Sequence, residues 1–138
     1  MPPHPHFDLD LRLGSSRRQR VWLVTGHALA LLAVGGSGVP APWPVVLTLT
    51  ALAHGVGSCL NRDRFRGWRI RYRAGDWALD DAAGRQVASR LLPSTWLGPW
   101  LCLLHWRCDD GRFLALPVWC DSLPPADYRR LRARLRWG

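Results

Sequence analysis

The chain has 138 residues, which allows one ordinary domain with a short appendage and excludes a large multidomain protein. Its 19 basic residues are all Arg and its 10 acidic residues are all Asp, so the formal net charge is +9. A charge of this sign favours a phosphate-rich partner, either anionic lipid or nucleic acid.

A charge-free stretch lies between Arg20 and Arg62, near the start of the chain. It is interrupted at 35–44 by glycines and prolines, which do not sustain a helix and which favour a tight turn. Two apolar segments remain, about 21–39 and 43–60, and each is close to the ~20 residues that a helix needs to cross ~30 Å of hydrocarbon. The sequence therefore predicts a basic N-terminal segment over 1–20 and a two-helix transmembrane hairpin over 21–60.

The arginines that flank this stretch predict its orientation. Arg17, Arg18 and Arg20 precede the first apolar segment, a second group of arginines follows the other segment, and the linking loop has none. Because cytoplasmic segments carry the excess of basic residues, both termini are predicted to be cytoplasmic. Two other interpretations stay open. Residues 16–19 resemble a twin-arginine export signal, and the two helices could form a soluble hairpin, although such helices normally carry a charged outer stripe.

Two histidines, His27 and His54, lie inside the predicted helices at similar distances from the centre of the loop. In an antiparallel pair of helices they would lie at a similar depth, so they are predicted to form an interhelical polar pair. The interpretation that we prefer is an ordinary polar contact between helices. The alternative is a proton-sensitive pair or an ion site.

After residue 61 the pattern changes to short alternating or apolar runs separated by turns, which predicts a β-meander in a cytoplasmic domain over 61–138. The predicted strands are 68–73, 77–80, 86–92, 100–107 and 112–119. Pro117 cannot donate a hydrogen bond to a neighbour, so the last strand is predicted to lie at an edge or to contain a bulge. The run 96–106 is too short for a membrane span, so a strand covered on both faces is predicted there. Four tryptophans in or near this run are predicted to lie either in the core or at the lipid interface, and both locations stay open: Trp96, Trp100, Trp106 and Trp119.

An amphipathic helix is predicted at about 123–136, with Ser122 as its N-cap. Tyr128, Leu131 and Leu135 recur at helical spacing and form the apolar stripe. The remaining positions form a basic face that is predicted, together with Asp121, to contact a membrane surface or a partner: Arg129, Arg130, Arg132, Arg134 and Arg136. A solvated face is the alternative. The predicted fold class is thus a membrane α+β protein, an N-terminal two-helix transmembrane hairpin followed by a small β-meander domain that a C-terminal amphipathic helix closes.

Candidate chemistry is sparse in this sequence. The cysteines form no CxxC pair and are predicted to be free thiols, with Cys59 inside an apolar segment. Cys102, His105, Cys108 and Cys120 have zinc-type side chains, but on a strand His105 points away from Cys102 and Cys108, so no metal site is predicted. The sequence contains no nucleotide-binding, metalloprotease or nucleophile-elbow motif, so neither catalysis nor a cofactor is predicted. Nucleic-acid binding is not expected, because no recognised fold motif accompanies the arginines.

The C-terminal segment 113–135 resembles the end of the YgfX family, which is also called CptA. In that family an apolar strand leads into Asp-Ser-Leu or Asp-Ser-Met, as at Asp121–Ser122–Leu123 here, and then into a helix with an aromatic-Arg-x-Leu-Arg pattern, as at 128–132. Helices near a basic N-terminus and an Asp-Gly turn before the last strand also match. Cys120 stands where Pro or a small residue is expected, and Pro124 and Pro125 stand where acidic residues are common.

The resemblance implies a bacterial inner-membrane protein, the toxin half of a type IV toxin–antitoxin pair. It implies interference with the polymerisation of tubulin-like and actin-like division proteins, and a small SdhE-like protein as the antitoxin. A protein of this kind binds other proteins and does not turn over a substrate, so no catalytic residue is carried over. The competing hypothesis is a β-rich lipid-surface module that organises a membrane complex and has no toxic role.

Overall fold

The computed structural model describes residues 8–61 and 63–137, which form three helices and seven strands. In chain order these elements are β1 (Leu9–Arg12), α1 (Arg17–Gly36), α2 (Trp43–Asn61), β2 (Arg69–Arg73), β3 (Asp76–Asp80), β4 (Gln86–Leu91), β5 (Trp96–Leu97), β6 (Leu101–Cys108), β7 (Phe113–Trp119) and α3 (Pro125–Trp137). The described residues divide into two compact units, a sheet unit of 8–15 with 65–137 and a helical unit from residue 16 to residue 64. The predicted division into 1–20, 21–60 and 61–138 stays a prediction.

The predicted fold class, an N-terminal two-helix transmembrane hairpin followed by a β-meander domain, is wrong. The described chain begins with a strand, and β1 pairs with β2 in the sheet. Within the described ranges, α2 alone is long and apolar enough to be a candidate membrane span, with a mean hydropathy of 1.4. Helix α1 differs because its first turn contains Arg17, Arg18 and Arg20. The charge-free remainder of α1 is about 24 Å long at 1.5 Å per residue, which is short of the hydrocarbon thickness.

The sheet is antiparallel at every pairing and follows the order β1-β2-β3-β4-β6. Strands β4 and β5 pair with different parts of β6, and β7 pairs along nearly its whole length. Because β7 pairs with β6 and with no other described strand, Pro117 lies in an edge strand. The turn between β2 and β3 is formed by Ala74 and Gly75, whose positive φ values of 50° and 99° suit a two-residue hairpin turn.

The core of the sheet unit lies between one face of the sheet and α3. Residues alternate in burial along β1, β2 and most of β6, and Ile70 of β2 and Leu104 and Trp106 of β6 are fully buried. Leu131 of α3 is also fully buried, and β1 contributes Leu11. A fully buried side chain of this size contributes about 1.5–3 kcal/mol to folding. The opposite face of β6 is half exposed, so the prediction of a strand covered on both faces is wrong.

The helical unit is formed by α1 and α2. Ser16 caps α1, since its Oγ accepts a hydrogen bond from the backbone N–H of Gln19 at 3.0 Å. At the other end, the backbone N–H of Ser37 donates to the carbonyl oxygen of Val34. The two helices contact each other through His27 of α1 and His54 of α2.

Candidate functional site

Helix α3 is held on the sheet by its apolar stripe. Tyr128 and Leu131 are buried, and Leu135 packs against the same core. The helix begins at Pro125, later than the predicted cap Ser122, whose hydroxyl donates to the Trp119 carbonyl oxygen instead. The stripe therefore fixes which side of α3 remains available to partners.

A second contact fixes α3 against the turn between β5 and β6. The Tyr128 hydroxyl donates to the carbonyl oxygen of Gly98 at 3.2 Å and lies 3.3 Å from the Cys102 Sγ. Burial raises the pKa of Tyr128, and the hydrogen bond to Cys102 raises it further. The phenol is therefore neutral at physiological pH and serves as a hydrogen-bond donor.

Arg134 belongs to the packing of α3 and not to its outward surface. Its guanidinium carbon lies 4.1 Å from the centre of the Tyr72 ring, and its Nη2 donates to the Tyr72 hydroxyl. Its Nε is buried and has no hydrogen-bond partner in the described structure. A cation held on an aromatic face in this way contributes to stability and is poorly placed to meet a partner.

The exposed side of α3 carries Arg129, Arg130 and Arg136, while Arg132 is half buried. Arg130 forms an exposed ion pair with Asp127 at 3.6 Å, and the Arg129 Nε donates to a carbonyl oxygen of its own helix. Exposed ion pairs of this kind are weak, so these guanidinium groups can exchange their partners at little cost. Asp121 is exposed in the turn before α3. The role of this set in membrane or partner contact stays a prediction.

The two predicted histidines lie side by side in the helical unit. The His27 Nε2 is 3.0 Å from the His54 Nδ1, and the ring centres are 5.3 Å apart. The His27 Nδ1 lies 2.7 Å from the Leu23 carbonyl oxygen and must donate to it, so in a neutral pair the His54 Nδ1 donates to the His27 Nε2. Gly55 makes room for this arrangement, because a Cβ there would lie 3.0 Å from the His27 ring. Both ring nitrogens of His27 and the Nδ1 of His54 therefore have hydrogen-bond partners, and any functional role for the pair stays a prediction.

The outer face of β1, β2 and β3 forms a cleft that the sequence analysis missed. This arginine cleft has a volume of about 580 Å³, and its charged lining includes Asp10, Arg12, Arg69, Arg71, Arg73 and Asp80. Arg71 and Asp80 form a bidentate pair at 2.6 and 2.8 Å, and the hydrogen bond to Asp80 raises the pKa of Arg71. Arg69 and Arg73 make longer contacts with Asp10 and Asp8, at 3.4 and 3.7 Å. The cleft is therefore partly neutralised from within.

A sequence signal for this cleft exists in the alternation of Arg69, Arg71 and Arg73 with Ile70 and Tyr72, which predicts three guanidinium groups on one face of β2. The contribution of β1 carries no comparable signal. Its pairing with β2 joins residues on opposite sides of the helical unit in sequence, and local periodicity does not predict such a pairing.

The zinc-type side chains do not converge. Cys102 and Cys108 are buried on the core face, where burial raises the pKa of Cys108. The His105 Nδ1 lies 2.9 Å from the Ser94 Oγ on the other face. Among the residues that the structure describes, no group of three or more His, Cys or Asp is placed to hold a metal ion.

The chain combines an arginine-rich α+β sheet unit with an apolar helix that is long enough to cross a bilayer, a combination that is typical of membrane-associated proteins. The chain belongs to the CptA family, the membrane-bound toxin components of toxin–antitoxin systems, whose family model matches residues 8–138. The resemblance seen in the C-terminal segment is therefore confirmed. Family membership supports membrane association and an antitoxin partner in general. No curated protein and no solved structure matches the chain.

Proposed function

We propose that this protein is a membrane-held toxin that acts by binding other proteins and not by turning over a substrate. In this proposal it interferes with the polymerisation of the bacterial cytoskeletal proteins that drive cell shape and division. A small SdhE-like protein acts as its antitoxin. The family match over residues 8–138 carries the general role, and the finer action is inferred from the resemblance and from the surface of α3.

The exposed arginines of α3 are the proposed contact surface. Arg129, Arg130 and Arg136 project from a helix that is fixed on its other side by Tyr128 and Leu131. A preorganised helix loses little conformational freedom on binding, and Arg is enriched where proteins meet. Their charge suits an acidic surface on the partner.

We further propose that the sheet unit faces the cytoplasm from the inner membrane. The antiparallel pairing of β1 with β2 supports this, since the chain enters and leaves the helical unit through two neighbouring strands of one sheet. This connectivity favours an arrangement in which both ends of the helical unit lie on the same side of the membrane. Arginines flank both ends, which favours the cytoplasmic side. A reporter that is active only outside the cytoplasm should stay silent when fused after Gly138.

The test is overexpression of the full chain in its host with three substitutions, Arg129→Gln, Arg130→Gln and Arg136→Gln. Arg134 is kept, because it packs on Tyr72 and its loss would destabilise the fold. The unchanged protein should distort cell shape or block division. The triple variant should relieve this effect while its amount in the membrane fraction is unchanged.

A matched control removes the same charge from exposed arginines elsewhere in the sheet unit: Arg66, Arg73 and Arg112. If the control relieves the distortion as fully as the α3 variant, general charge and not the α3 surface is responsible. If neither variant relieves it, the proposed contact surface is wrong.

A further inference from the structure

The sheet unit exposes an apolar surface at the end opposite to the arginine cleft. It is formed by residues of the outer face of β5, β6 and β7 with the turn before β6, and we call it the tryptophan face: Trp96, Trp100, Leu101, Leu103, Phe113 and Trp119. Trp96, Trp100 and Phe113 are 56%, 61% and 55% exposed, and the other members are half buried. The strand registers place Trp96 opposite Leu103, and Leu101 opposite Trp119. Trp96 and Trp119 therefore border two neighbouring outer leucines of β6. Phe113 lies farther along the sheet, with its ring centre 5.1 Å from that of His105.

The two exposed indoles of this face are held in place. The Trp96 ring lies over Gly98 so closely that a Cβ at Gly98 would be 2.5 Å from the ring carbon Cη2. The turn that carries both indoles is closed by a hydrogen bond from the Gly98 N–H to the Leu101 carbonyl oxygen at 2.8 Å. On the core side of the turn, the Tyr128 hydroxyl of α3 donates to the Gly98 carbonyl oxygen. These two hydrogen bonds fix the conformation of a turn whose apolar rings are exposed.

Charge at one end of this surface indicates what covers it. Arg107 of β6 is paired in register with Arg90 of β4 on one side and with Phe113 of β7 on the other, and both arginines are exposed. Neither has an ion pair with a described residue, and Arg107 donates only to the Gly111 carbonyl oxygen. A surface that combines exposed tryptophans with unpaired arginines matches the boundary between acyl chains and anionic headgroups.

We propose that the tryptophan face docks the sheet unit on the surface of an anionic bilayer. The chain belongs to a membrane-bound family and carries an apolar helix as a candidate span, so a lipid surface is always near the sheet unit. Solvent-exposed indole rings are stabilised at the lipid interface, and Arg90 and Arg107 reach the headgroup phosphates. Docking of this kind does not require that the protein interferes with the cytoskeleton, and a lipid-surface module without a toxic role would dock in the same way.

The test uses the full chain labelled with fluorotryptophan, in nanodiscs of phosphatidylcholine mixed with phosphatidylglycerol. Each indole signal is assigned by a Trp→Phe substitution, and two relaxation agents are compared, a nitroxide-labelled lipid and a water-soluble gadolinium chelate. The Trp96 and Trp100 signals should be lost with the labelled lipid and retained with the chelate. Two other indoles serve as controls: Trp106, which is fully buried, should respond to neither agent, and Trp137, which is 82% exposed on α3, should be lost with the chelate.

A second variant separates docking from folding. Trp96→Ser with Trp100→Ser should weaken the lipid effect on the signal of Trp119, the remaining indole of the face, whereas Trp137→Ser should leave it unchanged. Both variants should keep the wild-type unfolding midpoint, since all three indoles are exposed. If Trp96 and Trp100 are as accessible to the chelate as Trp137, the face is solvated and the proposal is overturned. If both agents leave them unaffected, a protein and not lipid covers the face, which overturns it as well.

Discussion

Strands β2 and β6 have the same alternation of burial and opposite outer surfaces. In β2 the inner residues Ile70 and Tyr72 are buried, and the outer residues between and beside them are arginines. In β6 the inner residues Leu104 and Trp106 are buried, but the outer positions are occupied by two leucines, one histidine and, near the end of the strand, one arginine. The inner face therefore stabilises the fold in both strands, whereas the outer face can differ in its binding chemistry at each end of the sheet.

The strongest test of this comparison is to delete an inner and an outer indole near the same strand. Trp106→Ala should lower the free energy of unfolding by about 3–5 kcal/mol, because Trp106 is fully buried and leaves a cavity. Trp100→Ala should change it by no more than about 0.5 kcal/mol, because that ring is 61% exposed. Denaturant unfolding of the full chain in detergent measures both. Equal losses would mean that the tryptophan face is part of the core.

A second test concerns the outer face at the β2 end. Asp80 is buried and holds Arg71 through two hydrogen bonds, so Asp80→Asn should cost about 1–3 kcal/mol. The matched substitution is Asp110→Asn, which breaks an exposed pair with Arg112 and should lower the unfolding midpoint only slightly. A loss at Asp110 as large as that at Asp80 would show that the arginine cleft has no special role in stability.

The inner face of β2 can be tested through α3. Arg134→Gln removes the cation from the Tyr72 ring, together with its hydrogen bond, and should cost about 1–2 kcal/mol. Arg129→Gln removes the same charge from the exposed side of the helix, and its effect on stability should be negligible. Thermal unfolding of the two variants, measured side by side, checks this difference. If their midpoints coincide, Arg134 belongs with the outward arginines after all.

The smallest expected effect is a pH dependence at the turn that follows β3. The pKa of Asp81 is lowered because the backbone N–H of Arg85 donates a hydrogen bond to its carboxylate, and the backbone N–H of Ala83 donates a second one. Asp81 therefore stabilises the fold above its ordinary value of 3.8, and this contribution is lost as the pH falls through the lowered value. Asp81→Asn should lower the unfolding midpoint slightly at neutral pH and leave it unchanged in acid. A difference of the same size at both pH values would exclude this linkage.

Periodic local patterns predicted much of the sheet unit. The strands predicted at 68–73 and 112–119 match β2 and β7 to within a residue, and the i, i+3, i+7 spacing in α3 identified the residues that pack on the sheet. These elements are predictable because one face of each is buried, and burial leaves its period in the sequence.

The errors have physical causes that are specific to each element. Strand β1 has a clear alternation of Leu9, Leu11 and Leu13 with polar residues, but it is only four residues long and its partner lies beyond two helices. The outer face of β6 begins with two half-buried leucines, so the sequence of this strand resembles one covered on both faces. The membrane-spanning character of α1 was overestimated, because the helix begins earlier than its apolar segment and includes the arginines.

The pairing of β1 with β2 also constrains biosynthesis. Leu9 and Leu11 leave the ribosome before the helical unit, but the strand that they join is made only after it. The sheet cannot close until residues from both sides of that unit are present, so the helical unit is synthesised before the sheet unit can be completed. A fragment that starts at Phe65 would lack these leucines and would expose the edge of β2 to other chains. Such a fragment is expected to aggregate, because the sheet unit is a single folding unit formed by two separate segments of the chain.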